Sequence, residues 1–350
     1  PEADFFTFHK RPDDYASWLG VWLLPKLNYR SPELRRRMFE ADDAIFKQWL
    51  QPPYSADGWR VDVANMLGRQ GDIQIGTEVV ENVRQAVKET NPDAYLLGEN
   101  FFDGTASLQG NEWDSIMNYS GLAIPLLAWL RGFNQGTFAQ QERIISPVPW
   151  PTAALAQTWQ QYLAAVPWRI ALQQFNILNS HDTPRLRTEV GENDALHRLA
   201  AIVQFTFPGI PCLYYGDEIG MVEDEHLHQR GCMIWDETQW NEDLLAFYKE
   251  LIRLRQETAV LQTGGFQILA VEQDTIAYQR EGENGRFLII AHRHSSPRPE
   301  MPLPVAHGGI ADGTRFVEQF SGQEAIVQNG TLLLPALPQG ATMWRNRSPD

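Results

Sequence analysis

The chain is poor in cysteine and in basic runs. Only Cys212 and Cys232 occur in 350 residues, too few for the disulfide framework of a small secreted domain. Both are read as free thiols. Lys and Arg total 29 against 44 Asp and Glu, a formal net charge of −15. Such a field repels a polyanion on average, so nucleic acid is not expected as a partner. The densest basic cluster, Arg35-Arg36-Arg37, reads as the solvated face of a helix. No apolar run reaches the roughly 20 residues of a membrane span, so no membrane partner is expected. A glycine-rich phosphate loop, a metal-ligand cluster and a short solenoid repeat are all missing. The chain opens at Pro1 with no methionine and no visible leader. It is therefore expected to begin mid-domain, and the cytoplasm is the expected compartment.

Apolar residues make up 43% and charged residues 21%, enough for a large core and a smaller second domain and against bulk disorder. The 12 tryptophans exceed what such a core needs. Flat aromatic faces suit the C–H faces of sugar rings, although packing accounts for most of them. Along the chain a unit recurs: a short apolar strand, a polar loop, an amphipathic helix. Ser31-Pro32 opens a helix by capping and first-turn preference, and Leu34, Met38, Ala41, Ile45 and Trp49 give it one buried stripe before Pro52-Pro53. A strand over 58–63, a helix over 77–89 with Val79, Val80, Val83, Ala86 and Val87 apolar, a turn at Asn91-Pro92-Asp93 and a strand over 94–99 come next. Further strands fall at 115–119, 175–178 and 211–215. This alternation predicts a parallel sheet with helical crossovers. Near Gly264-Gly265 the pattern changes to strands without helices, at 266–271, 275–280, 286–291, 315–320 and 331–334, with a hairpin signal at Asn284-Gly285. A small antiparallel β domain that braces the larger one is expected there.

Three strand ends carry acids. Alternation places Arg60 and Asp62 on one face of their strand, where the guanidinium keeps the carboxylate ionised, as a glycosidase nucleophile requires. Taken alone, a structural ion pair explains them equally well. Glu99 follows an apolar strand, in dry surroundings that favour a general acid, or it caps the next loop. Asp182, after His181, is an N-cap or a third member of the set. Jointly they occupy the C-terminal ends of three β/α strands, where barrel enzymes place their chemistry.

With those residues in view, Gly58-Trp59-Arg60-Val61-Asp62-Val63-Ala64-Asn65, Gly98-Glu99 and Asn179-Ser180-His181-Asp182 resemble the second, third and fourth signature regions of the α-amylase family. Phe207-Pro208-Gly209-Ile210-Pro211-Cys212-Leu213-Tyr214-Tyr215-Gly216-Asp217-Glu218 resembles its eighth-strand signature, and Leu24-Pro25-Lys26-Leu27-Asn28 its fifth region in neopullulanase-like form. The resemblance implies Asp62 as nucleophile, Glu99 as acid/base and Asp182 as the carboxylate that grips the distorted sugar. It makes Arg60 the group that orients Asp62, and gives His181 a bond to the sugar in the first subsite. Asn65, Met66 and Arg185 are carried as further substrate-binding candidates. The family's first region is not found. The implied fold is α/β: a partial (β/α)8 TIM barrel, about strands 4–8, followed by a small antiparallel β domain. The expected segments are 1–57, the end of the excursion after strand three with its helix; 58–262, the barrel strands; and 263–350, the β domain.

Met66 after Asn65, and Asn100-Phe101-Phe102-Asp103 after Glu99, favour maltodextrin glucosidase, whereas Arg230-Gly231-Cys232-Met233-Ile234-Trp235-Asp236 fits cyclomaltodextrinases as well. The expected function is retaining hydrolysis of α-1,4 bonds in maltodextrins through a glycosyl-aspartate. The alternatives kept are cyclomaltodextrinase or neopullulanase, an α-glucan transglycosylase, and an inactive fragment or non-catalytic carbohydrate-binding protein. A β/α enzyme of other chemistry finds no supporting motif. No cofactor is expected, with calcium left open. The partner is an α-glucan, and a homo-oligomer is also left open.

Overall fold

The structure, a computed structural model, describes residues 2–131, 134–135, 144–145 and 148–346. The end of the expected 263–350 segment, residues 347–350, lies outside them. The chain divides into two compact units, Pro1–Met117 and Asn118–Asp350.

The first unit opens with two short hairpins, Phe8–Lys10 with Asp14–Tyr15 and Ser17–Trp18 with Val21–Pro25. Ser31 then caps a helical turn, its Oγ accepting the Leu34 amide at 3.4 Å with Pro32 at the first position. The single helix expected after it does not form. Pro32–Arg35 passes into a π turn over Arg36–Glu40, the backbone goes extended at Ala41, and Ile45–Gln48 is a separate short helix. A π turn inserts one residue and rotates the chain beyond it. The interior therefore falls on Leu34, Phe39, Ala44, Phe46 and Leu50, while Ile45 and Trp49 are left 38% and 39% exposed.

Next come three parallel strands: β1 (Gly58–Val61), β2 (Tyr95–Gly98) and β3 (Ser115–Ile116), with β2 central. Between β1 and β2 runs α1 (Gly76–Thr90), which buries the expected stripe of Val79, Val80, Val83, Ala86 and Val87. Gly58 pairs with Tyr95, and a Cβ on Gly58 would stand 2.1 Å from the Tyr95 carbonyl oxygen. Asp114, just before β3, ties helix to sheet. It takes Arg84 and Lys88 of α1 at 2.8 Å each and the Leu96 amide at 2.9 Å. Burial opposes its charge, but these donors outweigh burial and hold its carboxyl below the usual range.

In the second unit β4 (Phe175–Asn176) pairs in parallel with β5 (Ile210–Pro211). Around this pair lie α2 (Ile124–Arg131), α3 (Thr152–Ala165), α4 (Asp194–Thr206) and α5 (Glu242–Glu257). An antiparallel sheet completes the unit: β6 (Gly265–Val271), β7 (Thr275–Gly282), β8 (Gly285–His292), β9 (Met301–Pro304), β10 (Arg315–Glu318), β11 (Glu324–Gln328), β12 (Thr331–Leu334) and β13 (Gly340–Asn346). Its order among the described residues is β6-β7-β8-β13-β10-β11-β12-β9. Three of these strands, β9, β11 and β13, go beyond the five expected. Gly282 pairs with Gly285, so Glu283-Asn284 forms the hairpin loop and Gly285 takes a φ of +142°.

The sheet is buried on both faces by alternation. Ile276, Tyr278, Phe287, Ile289, Ala291 and Met343 join Trp129, Trp159, Leu199, Val203, Tyr248 and Leu254 of the helices in one core. Ala277, Leu288, Ile290 and Trp344 point the other way, into a core with Met301, Phe316, Leu332 and Leu334. The buried Arg280 of β7 gives its N–H groups to the carbonyls of Thr206, Leu261, Gly264 and Gly265. Burial pulls its pKa down to about 9. Its charge sits on the carbonyl-rich end of α4, where a cation is favoured.

Candidate active site

In the first unit the parallel ladder sets the site. β1 ends at Val61 and β2 at Gly98, and the Glu99 amide still donates to the Val61 carbonyl at 2.9 Å. Asp62 and Glu99 thus leave adjacent strand ends. Arg60 joins them: Nη1 lies 2.5 Å from Asp62 Oδ1 and Nη2 lies 3.0 Å from Glu99 Oε2. The Val63 amide adds a second donor to Glu99 Oε2 at 2.7 Å. Val63 holds φ +45° and ψ +41°, the left-handed region that a β-branched residue enters only under constraint. The two acids differ in exposure. Asp62 has 73% of its side chain open, whereas Glu99 has 4%.

A cleft of about 320 Å³ runs beside Asp62, lined by Val63, Met66, Lys26 and, from the second hairpin, Trp18, Leu23 and Leu24. Lys26 donates to the Arg69 carbonyl, and burial holds its ammonium below the usual lysine range. Asn65 and Met66 lie half-buried in the turn Ala64–Met66. Gly98 has no room for a side chain, since a Cβ would come 2.9 Å from the Trp113 ring.

The second unit carries the other candidates. His181 Nε2 lies 3.0 Å from Asp182 Oδ2. Asp182 Oδ1 accepts from Arg230 Nη2 at 2.6 Å, and Arg230 Nε donates to the His181 carbonyl at 2.8 Å. Arg230 was not among the site residues read from sequence; its string served there only to compare family members. The Asp182 amide bonds Ser180 Oγ at 3.1 Å, and Ser180 Oγ meets Tyr119 Oη at 2.8 Å. Arg185, expected to bind substrate, has no exposed surface. Its Nη1 donates to the Tyr215 carbonyl at 2.7 Å and its guanidinium covers the rings of Tyr214 and Tyr215. It holds a turn and offers nothing to solvent. Asp217, 2% exposed, accepts from Asn179 Nδ2 at 2.9 Å. Burial pushes its carboxyl up to about 7.

Among the described residues, no group of three or more His, Cys, Asp or Glu is placed to hold a metal ion. Nor is any helix long and apolar enough to cross a membrane. Cys212 and Cys232 are both free, and burial raises the Cys212 thiol to about 11.

The first unit thus presents an open carboxylate and a buried one, joined by one arginine at parallel strand ends. The family description "Alpha amylase, catalytic domain" matches residues 2–243. A cyclomaltodextrinase from Bacillus sp is 34% identical over 83% of this chain and 48% of its own length. Neopullulanase 2 from Thermoactinomyces vulgaris is 30% identical over 93% of this chain and 50% of its own length. The crystal structure of Ttha1563 from Thermus thermophilus superposes with a TM-score of 0.83 at 28% identity, covering 99% of this chain and 71% of that one. The chain belongs to the α-amylase family, with that family's TIM-barrel catalytic fold and an antiparallel β-sheet domain. It spans about half the length of the curated relatives it matches.

Proposed function

We propose that the protein is a retaining α-glucan hydrolase of the cyclomaltodextrinase or neopullulanase kind. The names of its relatives favour this over the maltodextrin glucosidase reading drawn from Met66 and Asn100-Phe101. The observation that carries the chemistry is the Arg60 fork shared by Asp62 and Glu99. Asp62 is open and lies beside a guanidinium, so it is assigned to attack the anomeric carbon. Glu99, enclosed, protonates the departing glycosidic oxygen and then deprotonates water. A protonated Glu99 gives up its ion-pair attraction to Arg60, which leaves that arginine's charge to Asp62 during attack. Asp182 is assigned to hold sugar hydroxyls, with His181 beside it, and such bonds strengthen as ring charge develops. Met66 borders the cleft as a substrate contact, Asn65 is assigned the same role from the turn beside it, and Arg185 acts only through the turn it holds. Strands β1 to β5 are assigned as about the fourth to eighth of a (β/α)8 barrel, in the segments 1–57, 58–262 and 263–350.

Azide rescue tests the roles. In Glu99→Gln an aryl α-glucoside should still form the covalent intermediate while maltotriose should not. Azide, which needs no general base, should restore turnover with an α-configured glycosyl azide read by NMR. An inverted product from Glu99→Gln would remove the retaining mechanism. Equal losses on both substrates with no rescue would remove Glu99 from the acid/base role.

A further inference from the structure

The segment 179–185 carries His181 and Asp182 and is held from both ends by one turn. At its start Asn179, 2% exposed, donates to Asp217 Oδ1. At its end Arg185 donates to the Tyr215 carbonyl and stacks on Tyr214 and Tyr215. The turn is tightly packed at Gly216. Gly216 and Gly220 sit at φ +87° and +78°, and a Cβ on Gly216 would lie 2.3 Å from Met221 Sδ. We propose that Asp217 is a positioning residue, whose hydrogen bond from Asn179 fixes how His181 and Asp182 are presented. The proposal rests on the sugar-holding role given to Asp182 above.

Stability alone is a poor account of this group. Asp217 and Arg185 are a buried acid and a buried guanidinium, and Arg185 Nε and Nη2 find no hydrogen-bond partner among the described residues. Apolar residues of the same volume would fill such a site at equal or lower cost. Arg185 and Glu218 are the charged groups that act on Asp217, and Tyr248 and Cys212 are the other ionisable groups that feel it. None of them is open to substrate in the way Asp62 is. What the acid does that an apolar residue could not is accept from Asn179, one residue before the Ser180 hydroxyl that receives the Asp182 amide.

The test reads the loop directly in the 350-residue chain. Imidazole ¹H–¹⁵N signals of His181 and amide exchange at Asp182 are followed in Asp217→Asn, Asp217→Ala and Asn179→Ala. His292, bonded to Thr275 in the distant sheet, serves as the internal control. Asp217→Ala and Asn179→Ala should shift His181 and speed Asp182 exchange tenfold or more while His292 stays put. Asp217→Asn keeps an acceptor oxygen and should look like wild type. The proposal is overturned if the alanine variants lower Tm without moving His181, or if Asp217→Asn moves it as far as alanine does. Should Asp217→Ala fail to fold, Asn179→Ala decides. Maltotriose titration of Asp182→Ala is separate. Undiminished affinity there would end the sugar-holding role and leave the Asp217 result standing.

Discussion

One guanidinium serves two acids at the end of β1, and the planar fork is what allows it. A lysine at position 60 supplies a single point charge that cannot reach Asp62 and Glu99 together. Arg60→Lys is expected to lower turnover by about a hundredfold, or about 2.7 kcal/mol of barrier, with little change in Tm. Turnover within a few-fold of wild type would mean the fork is structural. A second residue-scale effect concerns pH. Asp217 has its pKa raised to about 7 from 3.8, mainly by burial, so the folded form keeps a proton that the unfolded chain releases. Its contribution is complete below about 4 and is lost as pH rises through about 7. His197, buried against Tyr248, is pushed down to about 3 from 6.5 by burial. Its contribution is present above about 6.5 and is lost as pH falls. The two slopes oppose each other over the shared window. Asp217→Asn removes one of them. Urea unfolding across that range should show the variant gaining on wild type by up to about 1.4 kcal/mol per pH unit as pH rises. A constant difference would mean Asp217 does not titrate there. Asp62 and Glu99 stood out in the sequence because each directly follows an apolar strand, whereas Asp182, beyond the end of β4 at Asn176, was picked out by the Asn179-Ser180-His181-Asp182 string. Arg230 was not, because it reaches Asp182 from 48 residues away and no local pattern links them.

At the scale of elements, local periodicity was a good guide where the helix is regular. The five apolar positions of α1 are among the side chains it buries. It failed over residues 32–48, where the π turn shifts register and no residue type announces it. β9 was missed because Met301-Pro302-Leu303-Pro304 looks like a strand breaker. Its prolines stand on the exposed side of an edge strand, with Met301 and Leu303 buried, which is where a sheet tolerates proline. The parallel strands came out shorter than the apolar runs that marked them, because the backbone turns into the loops that carry the acids. Gly58 shows how close two of them run. Gly58→Ala places a methyl group on the Tyr95 carbonyl and should cost about 1–3 kcal/mol as an overpacking strain, with activity lost along with β1–β2 register. Chemical denaturation checks it, and an unchanged midpoint would show that β1 can back away.

For the whole molecule, the strands left without a second neighbour bear on behaviour in solution. Among the described residues β1 and β3 are the outer strands of one parallel sheet and β4 and β5 are the two strands of the other, and the first unit leaves Leu19, Trp22 and Leu23 at least 66% exposed. Such edges and patches invite association. The 350-residue chain on its own is expected to self-associate with rising concentration and to turn over maltotriose only weakly. Sedimentation and product analysis check both, and an active monomer would contradict them. In the second unit the β6–β13 sheet and the helices close one core, through Tyr278, Phe287, Ile289 and Met343 against Trp159, Val203 and Leu254. Arg280 anchors the same seam to four carbonyls. A chimera made by grafting a relative's C-terminal sheet onto this chain would therefore have to bring the facing sides of α3, α4 and α5 with it. The natural point of exchange lies within the packing and not at the Gly264-Gly265 crossing.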